Sequence, residues 1–99
     1  MVIEGILNLH HATDDYLMFY SGRLVNISEH LNCMLLDDVY VCIKDGYTND
    51  VLFENEGRLV KEKVQPCYYT YHVNGQDFDS ILWDNVGKRL NIEIINVSK

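Results

Sequence analysis

Apolar and polar residues alternate along most of this chain, and alternation with a period of two marks a strand with one buried face. Ile3, Leu7 and Leu9 fall on one face of Val2–His10, and Asp38–Lys44 and Leu90–Ile95 alternate in the same way. Tyr16–Tyr20 is a continuous apolar run; Ser21-Gly22 then turns the chain and Arg23–Ile27 returns, which predicts a β-hairpin. Val51–Glu54, a turn at Asn55-Glu56-Gly57 and a return over Arg58–Lys63 predict a second one. Pro66 interrupts the pattern before the tyrosine-rich strand Cys67–Val73, which Asn74-Gly75 closes.

Two stretches switch to helical spacing. Asp77 is placed to cap a helix running to Val86, with Phe78, Ile81, Leu82 and Val86 as its apolar stripe and Gly87 as its left-handed stop. So short a helix needs a sheet to pack on. Leu31, Met34 and Leu35 share one face of a second short helix over Ser28–Leu36, capped by Asn26 or Ser28. An extended strand satisfies that stretch as well.

The tetrapeptide Gly-Arg-Leu-Val occurs at 22–25 and again at 57–60. Thr13, Asp15 and Leu17 also recur at the same offset, so residues 13–25 and 48–60 read as two copies of one hairpin unit within a single domain spanning 1–99. The fold class expected is mainly β (β-rich α+β): an antiparallel sheet of about six to seven strands curled toward a small barrel. A flat sheet carrying the helix on one face is the alternative.

Composition sharpens this picture. With 47% apolar residues and seven tyrosines the chain folds around a core and favours pleated surfaces. A net charge of −7 repels nucleic-acid phosphates and suits a partner protein with a basic surface. No apolar run approaches the roughly 20 residues of a membrane span, and no signal peptide is legible. Three cysteines, an odd number, fit free thiols in a reducing cytoplasm.

Candidate chemistry is sparse. His10-His11-Ala12-Thr13-Asp14-Asp15 holds metal-binding residue types, yet adjacent strand histidines point to opposite faces, so a solvated turn is expected. Cys67 and His72 are an odd number apart on one strand and do not form a nucleophile–base pair. No phosphate-cradling loop, nucleophile elbow or zinc signature occurs, so the protein is expected to be non-enzymatic and to need no cofactor.

What remains is recognition. Asp14, Asp15, Asp45 and Asp50 gather in loops, and Asp79 and Asp84 lie on the expected wet side of the late helix. Alternation in 67–73 puts Tyr68, Thr70 and His72 on one face, where they would form a platform if that face were open. Asp14, Asp15, Asp45, Asp50, Tyr68, His72, Asp79 and Asp84 are therefore the candidate partner-binding residues. The first expectation is an acidic inhibitor from a phage or mobile element, occupying the basic nucleic-acid-binding surface of a host enzyme. The alternative is a nucleotide or single-strand binding module built on 67–73. Unpaired sheet edges make a homodimer a reasonable expectation under either.

Overall fold

Alternation is realised most cleanly in Val2–His10, where Ile3 and Leu7 are buried while Val2, Glu4, Ile6 and Asn8 face out. The structure, a computed structural model, describes residues 1–66 and 68–98. Its strands are β1 (Val2–His10), β2 (Asp15–Tyr20), β3 (Arg23–Asn26), β4 (Asp38–Asp45), β5 (Val51–Gln65), β6 (Tyr68–Val73), β7 (Gln76–Asp77) and β8 (Arg89–Asn96). Helix α1 (Ile27–Asn32) follows β3, and α2 (Asp79–Asp84) follows β7. The protein is thus mainly β, with one eight-stranded sheet in the order β3-β2-β1-β8-β4-β5-β6-β7, and every pairing is antiparallel.

The sheet does not close into a barrel. Its edges, β3 and β7, are short, and each leads at once into a helix. The two helices stand where a barrel would have its last pairing. Ile27 and Leu31 of α1, with Phe78 and Leu82 at α2, join Ile3, Leu7, Met18, Val39, Val41, Ile43, Leu59, Val73, Leu90, Ile92 and Ile94 in one core. Among the described residues no helix is long and apolar enough to cross a membrane.

Strand order reads the same from either edge when β1–β4 are exchanged with β5–β8. Each half is three strands, a helix and a fourth strand. Register obeys the exchange: Gly5 faces Leu90 and Ile3 faces Ile92, as Gly57 faces Val39 and Asn55 faces Val41. Cys42 lies opposite Glu93 at the centre of the β4–β8 pairing, where the pseudo-two-fold axis passes. Gly5 and Gly57 are equivalent and share a reason. A methyl group on Gly5 would collide with the Phe19 carbonyl oxygen, and one on Gly57 would stand 2.7 Å from Asn74 Cβ.

This internal symmetry differs from the one expected. Residues 13–25 do form a loop and the hairpin β2–β3, turned by Ser21 and Gly22 with φ of 51° and 76°, a type I′ geometry. Residues 48–60 do not: no turn forms at Asn55–Gly57, and Val51–Gln65 is one strand of 15 residues. β5 pairs with β4 along its first part and with β6 along its second, and these two sets of ladder bonds override the local turn signal.

Helix boundaries also shift. Residues 28–36 do contain a helix, but α1 begins at Ile27 and ends at Asn32, with the Asn26 side chain accepting from Glu29 N at 2.8 Å. α2 is shorter than 77–86, which leaves Val86 exposed in the following turn. The N-cap falls one residue later than expected, on Phe78, whose side chain makes no cap bond. Asp77, just before it, still accepts from Asp79 N at 2.8 Å and Ser80 N at 3.3 Å, and Gly87 takes a φ of 89°.

Candidate functional site

The seam between the two sheet edges is braced by two tyrosines in a crossed pattern. Tyr16 donates its backbone N–H to Ser28 Oγ at 2.8 Å within its own half. Its hydroxyl donates across the seam to Asp79 Oδ1 at 2.5 Å and lies 3.3 Å from the Asp79 carbonyl. Tyr71 mirrors this: its N–H reaches Asp79 Oδ2 at 3.3 Å within its own half, and its hydroxyl crosses to the Ser28 carbonyl at 3.4 Å and Asn32 Oδ1 at 2.8 Å. Tyr16, Ser28, Tyr71 and Asp79 are all buried. Such groups must be bonded to one another when water is excluded, and each is.

Burial raises the Tyr16 hydroxyl far above the usual tyrosine range, and the Asp79 carboxylate beside it adds to the rise. Burial also pushes the Tyr71 hydroxyl up to about 12. Asp79 itself is raised by burial, against hydrogen bonds from Tyr16 and Tyr71 that favour its ionised form.

Above this brace the seam opens into a cleft of about 110 Å³. Thr13, Asp14, Asp15 and Ser28 line one wall; Lys61, Tyr68, Tyr69 and Trp83 line the other, with Tyr16, Tyr71 and Asp79 also in the lining. The walls differ because the halves differ in length here. β1 turns into β2 through the short loop 11–14, whereas β5 and β6 run on past the matching point through Lys63, Val64, Gln65, Tyr68 and Tyr69. A register shift between Lys63 and Gln65 lets Tyr68 and Tyr69 both stay exposed.

Four of the eight expected partner-binding residues meet at this cleft: Asp14, Asp15, Tyr68 and Asp79. Asp14 adopts a φ of 58° in the loop, and Asp15 accepts from Asn26 Nδ2 at 3.0 Å. Asp79 is not on a wet helix face. It is 4% exposed, because α2 packs its first turn into the seam where Tyr16 and Tyr71 satisfy it. Burial raises the Tyr68 hydroxyl above the usual tyrosine range, with Asp79 and Asp77 adding to the effect.

The other four lie elsewhere. Asp84 is exposed at the end of α2, outside the cleft lining. Asp45 caps its own turn, accepting from Tyr47 N at 2.8 Å and Thr48 N at 3.0 Å, and the N–H groups of Thr48 and Tyr47 hold it below the usual carboxylate range. Asp50 precedes β5, ten strand residues before Lys61 counting from Val51, at most roughly 33 Å of extended chain. His72 is half-buried, its Nε2 paired with Thr70 Oγ1 at 2.9 Å. Thr70 is buried, so the face 68, 70, 72 is no open platform; Cys67 lies outside the described residues.

Among the described residues no three His, Cys, Asp or Glu side chains are grouped to hold a metal ion. His10 instead pairs with Thr13 Oγ1 at 3.1 Å. Sequence reasoning missed Lys61, Tyr69 and Trp83 as a group. One signal was available: Trp83 falls beside the Phe78–Leu82 stripe rather than on it, and a single tryptophan left outside a core stripe is 51% exposed. No protein-family profile, no curated protein and no solved structure matches this chain.

Proposed function

We propose that this is a non-enzymatic binding protein that attaches through the cleft to a partner with a basic surface. The observation that carries the reading is the convergence of Asp14, Asp15, Tyr68, Tyr69 and Trp83 on one opening. Carboxylates beside exposed ring faces suit a cationic side chain, which gains from both the charge and the ring quadrupole. Size supports this reading over a nucleotide site on 67–73: sites for nucleotide-sized ligands usually measure roughly 300–1,000 Å³, and the cleft at that strand, about 110 Å³, is nearer to the size of one long side chain. Hollows of about 300 Å³ and 310 Å³ lie beside Leu24 and Asn26, away from that strand.

In biological terms the reading is an inhibitor, of the kind a phage or mobile element carries, that covers the basic nucleic-acid groove of a host enzyme. The net charge of −7 suits its basic partner, and the odd number of cysteines suits a cytoplasmic setting. A homodimer through β3 belongs to the same reading, because that edge is unpaired and carries exposed Leu24 beside exposed Phe19.

Trp83 is the sole tryptophan and lines the cleft, so its fluorescence reports on occupancy. A hexa-arginine peptide is expected to change it in a salt-sensitive way, with about tenfold weaker binding in Asp15→Lys. A response to nucleotides or single-stranded oligonucleotides but not to the peptide would replace this reading with the nucleotide-binding module.

A further inference from the structure

We infer that the cleft is a seat for one basic side chain and that Lys61, which lines it, already occupies the Tyr69 and Tyr71 ring faces that an incoming arginine must take over. The inference rests on the proposed function and adds the ligand group and its built-in competitor. Lys61 Nζ lies 5.2 Å from the Tyr71 ring centroid and 5.6 Å from that of Tyr69. Both distances are within the roughly 6 Å over which a cation is drawn to a ring face. A third contact, 3.2 Å to Asn32 Oδ1, ties the ammonium across the seam to α1. The cleft therefore already holds a cation on its aromatic wall.

Position and charge both mark this lysine out. Lys61 pairs with Tyr71 in β5–β6, as Leu9 pairs with Tyr16 in β1–β2, so its counterpart in the other half is a leucine packed against the core. An inward-facing strand position has thus become cationic only on the side where the seam opens. Among the described residues the only ion pair within 4.0 Å joins Arg89 to Glu4, so Lys61 is held by rings and one amide oxygen, without a carboxylate. An ammonium seated this way leaves donors to water, whereas a guanidinium stacks flat on a ring and bonds carboxylates in pairs. Asp14 and Asp15 on the facing wall are the carboxylates an arginine would reach and Lys61 does not.

The test compares Lys61→Met with Lys63→Met, which removes the same charge two residues along the strand. Hexa-arginine is titrated against each, read by Trp83 fluorescence, after thermal melts confirm that each variant folds. Lys61→Met is expected to bind about tenfold more tightly than the wild type, and Lys63→Met within about twofold of it. Equal tightening in both variants would mean that net charge alone acts, and would overturn the displacement. Wild-type binding that Lys61→Met leaves unchanged or weakens would also overturn it, with the basic-partner reading intact. No binding by any of the three would remove that reading as well. Should Lys61→Met fold poorly, Lys61→Gln serves in its place, with the same outcomes.

Discussion

The first half of the chain seals its share of the seam, and the second half leaves its share open. Leu9 and Lys61 occupy matching places beside the bracing tyrosines, Tyr16 and Tyr71. Ser28 and Asp79 occupy matching places at the helix starts, one taking a backbone N–H through a hydroxyl and the other through a carboxylate. The first half extends its β2–β3 hairpin beyond the point reached by β6–β7, while the second extends β5–β6. A two-fold plan thus sets the fold, and departures from it make the cleft. Binding chemistry is to be sought where the halves differ, because positions that match are held by packing common to both.

The comparison is broken most severely at the brace. Asp79→Ala removes the carboxylate that accepts from both the Tyr16 hydroxyl and the Tyr71 N–H, leaving the buried N–H unpaired and the hydroxyl with only its longer contact to the residue 79 carbonyl. Its expected cost is about 2–4 kcal/mol in a urea titration. Ser28→Ala removes only the acceptor of the Tyr16 N–H, since its carbonyl still meets Tyr71, and should cost about 1–2 kcal/mol. Equal losses would show that the seam does not depend on the carboxylate.

Alkali sharpens the same comparison. The Tyr71 hydroxyl rises from the ordinary 10.0 to about 12 on folding. A group raised in this way contributes stability that is intact below pH 10 and is lost as pH climbs through its folded value. Two pH units correspond to about 2–3 kcal/mol, and that loss falls between the ordinary tyrosine value and about 12. Tyr71→Phe should flatten this part of the profile, with urea midpoints measured across the window as the check. Asp79 acts in the acid range with the same sign: its raised carboxyl favours the fold below the usual carboxylate range, and that contribution fades as it ionises. Asp79→Asn should remove that slope.

The paired glycines give a smaller and graded effect. A methyl group at Gly5 meets a backbone carbonyl in the middle of the sheet, which cannot yield without moving β2. At Gly57 it meets Asn74 at the tip of a hairpin, where the turn can shift. Gly5→Ala is expected to cost about 2–3 kcal/mol from overpacking, and Gly57→Ala about 1–2 kcal/mol from a clash the turn relieves together with the strain of a side chain at a φ of 157°. A reversed order would argue that the hairpin tip is the stiffer of the two.

Much of the fold was legible in the sequence, because period-two alternation and turn residues are local signals. Val2–His10, the Ser21-Gly22 turn and the Phe78–Leu82 stripe needed nothing else. The repeat at 22–25 and 57–60 misled, because Gly57 is followed by the same three residues as Gly22 while pairing with Val39 inside a sheet. The true two-fold relation shifts its offset at the hairpins and preserves burial more than residue type, so a fixed-offset comparison misses it. Asp14, Asp15 and Tyr68 were legible as polar groups near turns, of which Asp15 is half-buried and the other two exposed, and Asp79 as one of a cluster of acids. That Asp79 is the buried hub of a brace, and that Lys61 and Trp83 join it at one opening, follows only from the meeting of the two sheet edges, which brings Tyr16 to Asp79, 63 residues away in sequence.

The smallest effect on stability lies at the end of the extended first hairpin. Phe19 and Leu24 pair across β2–β3 on the outer face, 61% and 55% exposed, with no counterpart at the shorter β6–β7 turn. Replacing both with threonine keeps the strand propensity and removes little buried area, so the unfolding free energy should move by less than about 0.5 kcal/mol. Association is another matter. If β3 pairs with β3 of a second copy, these two side chains flank the new edge, and the double variant should change from dimer to monomer in light scattering. A wild-type protein that is monomeric at high concentration would remove the homodimer and leave the extension as a hairpin arm beside the cleft. A double variant that stays dimeric would place the contact elsewhere, and β7, the only other free edge among the described residues, would be the next strand to change.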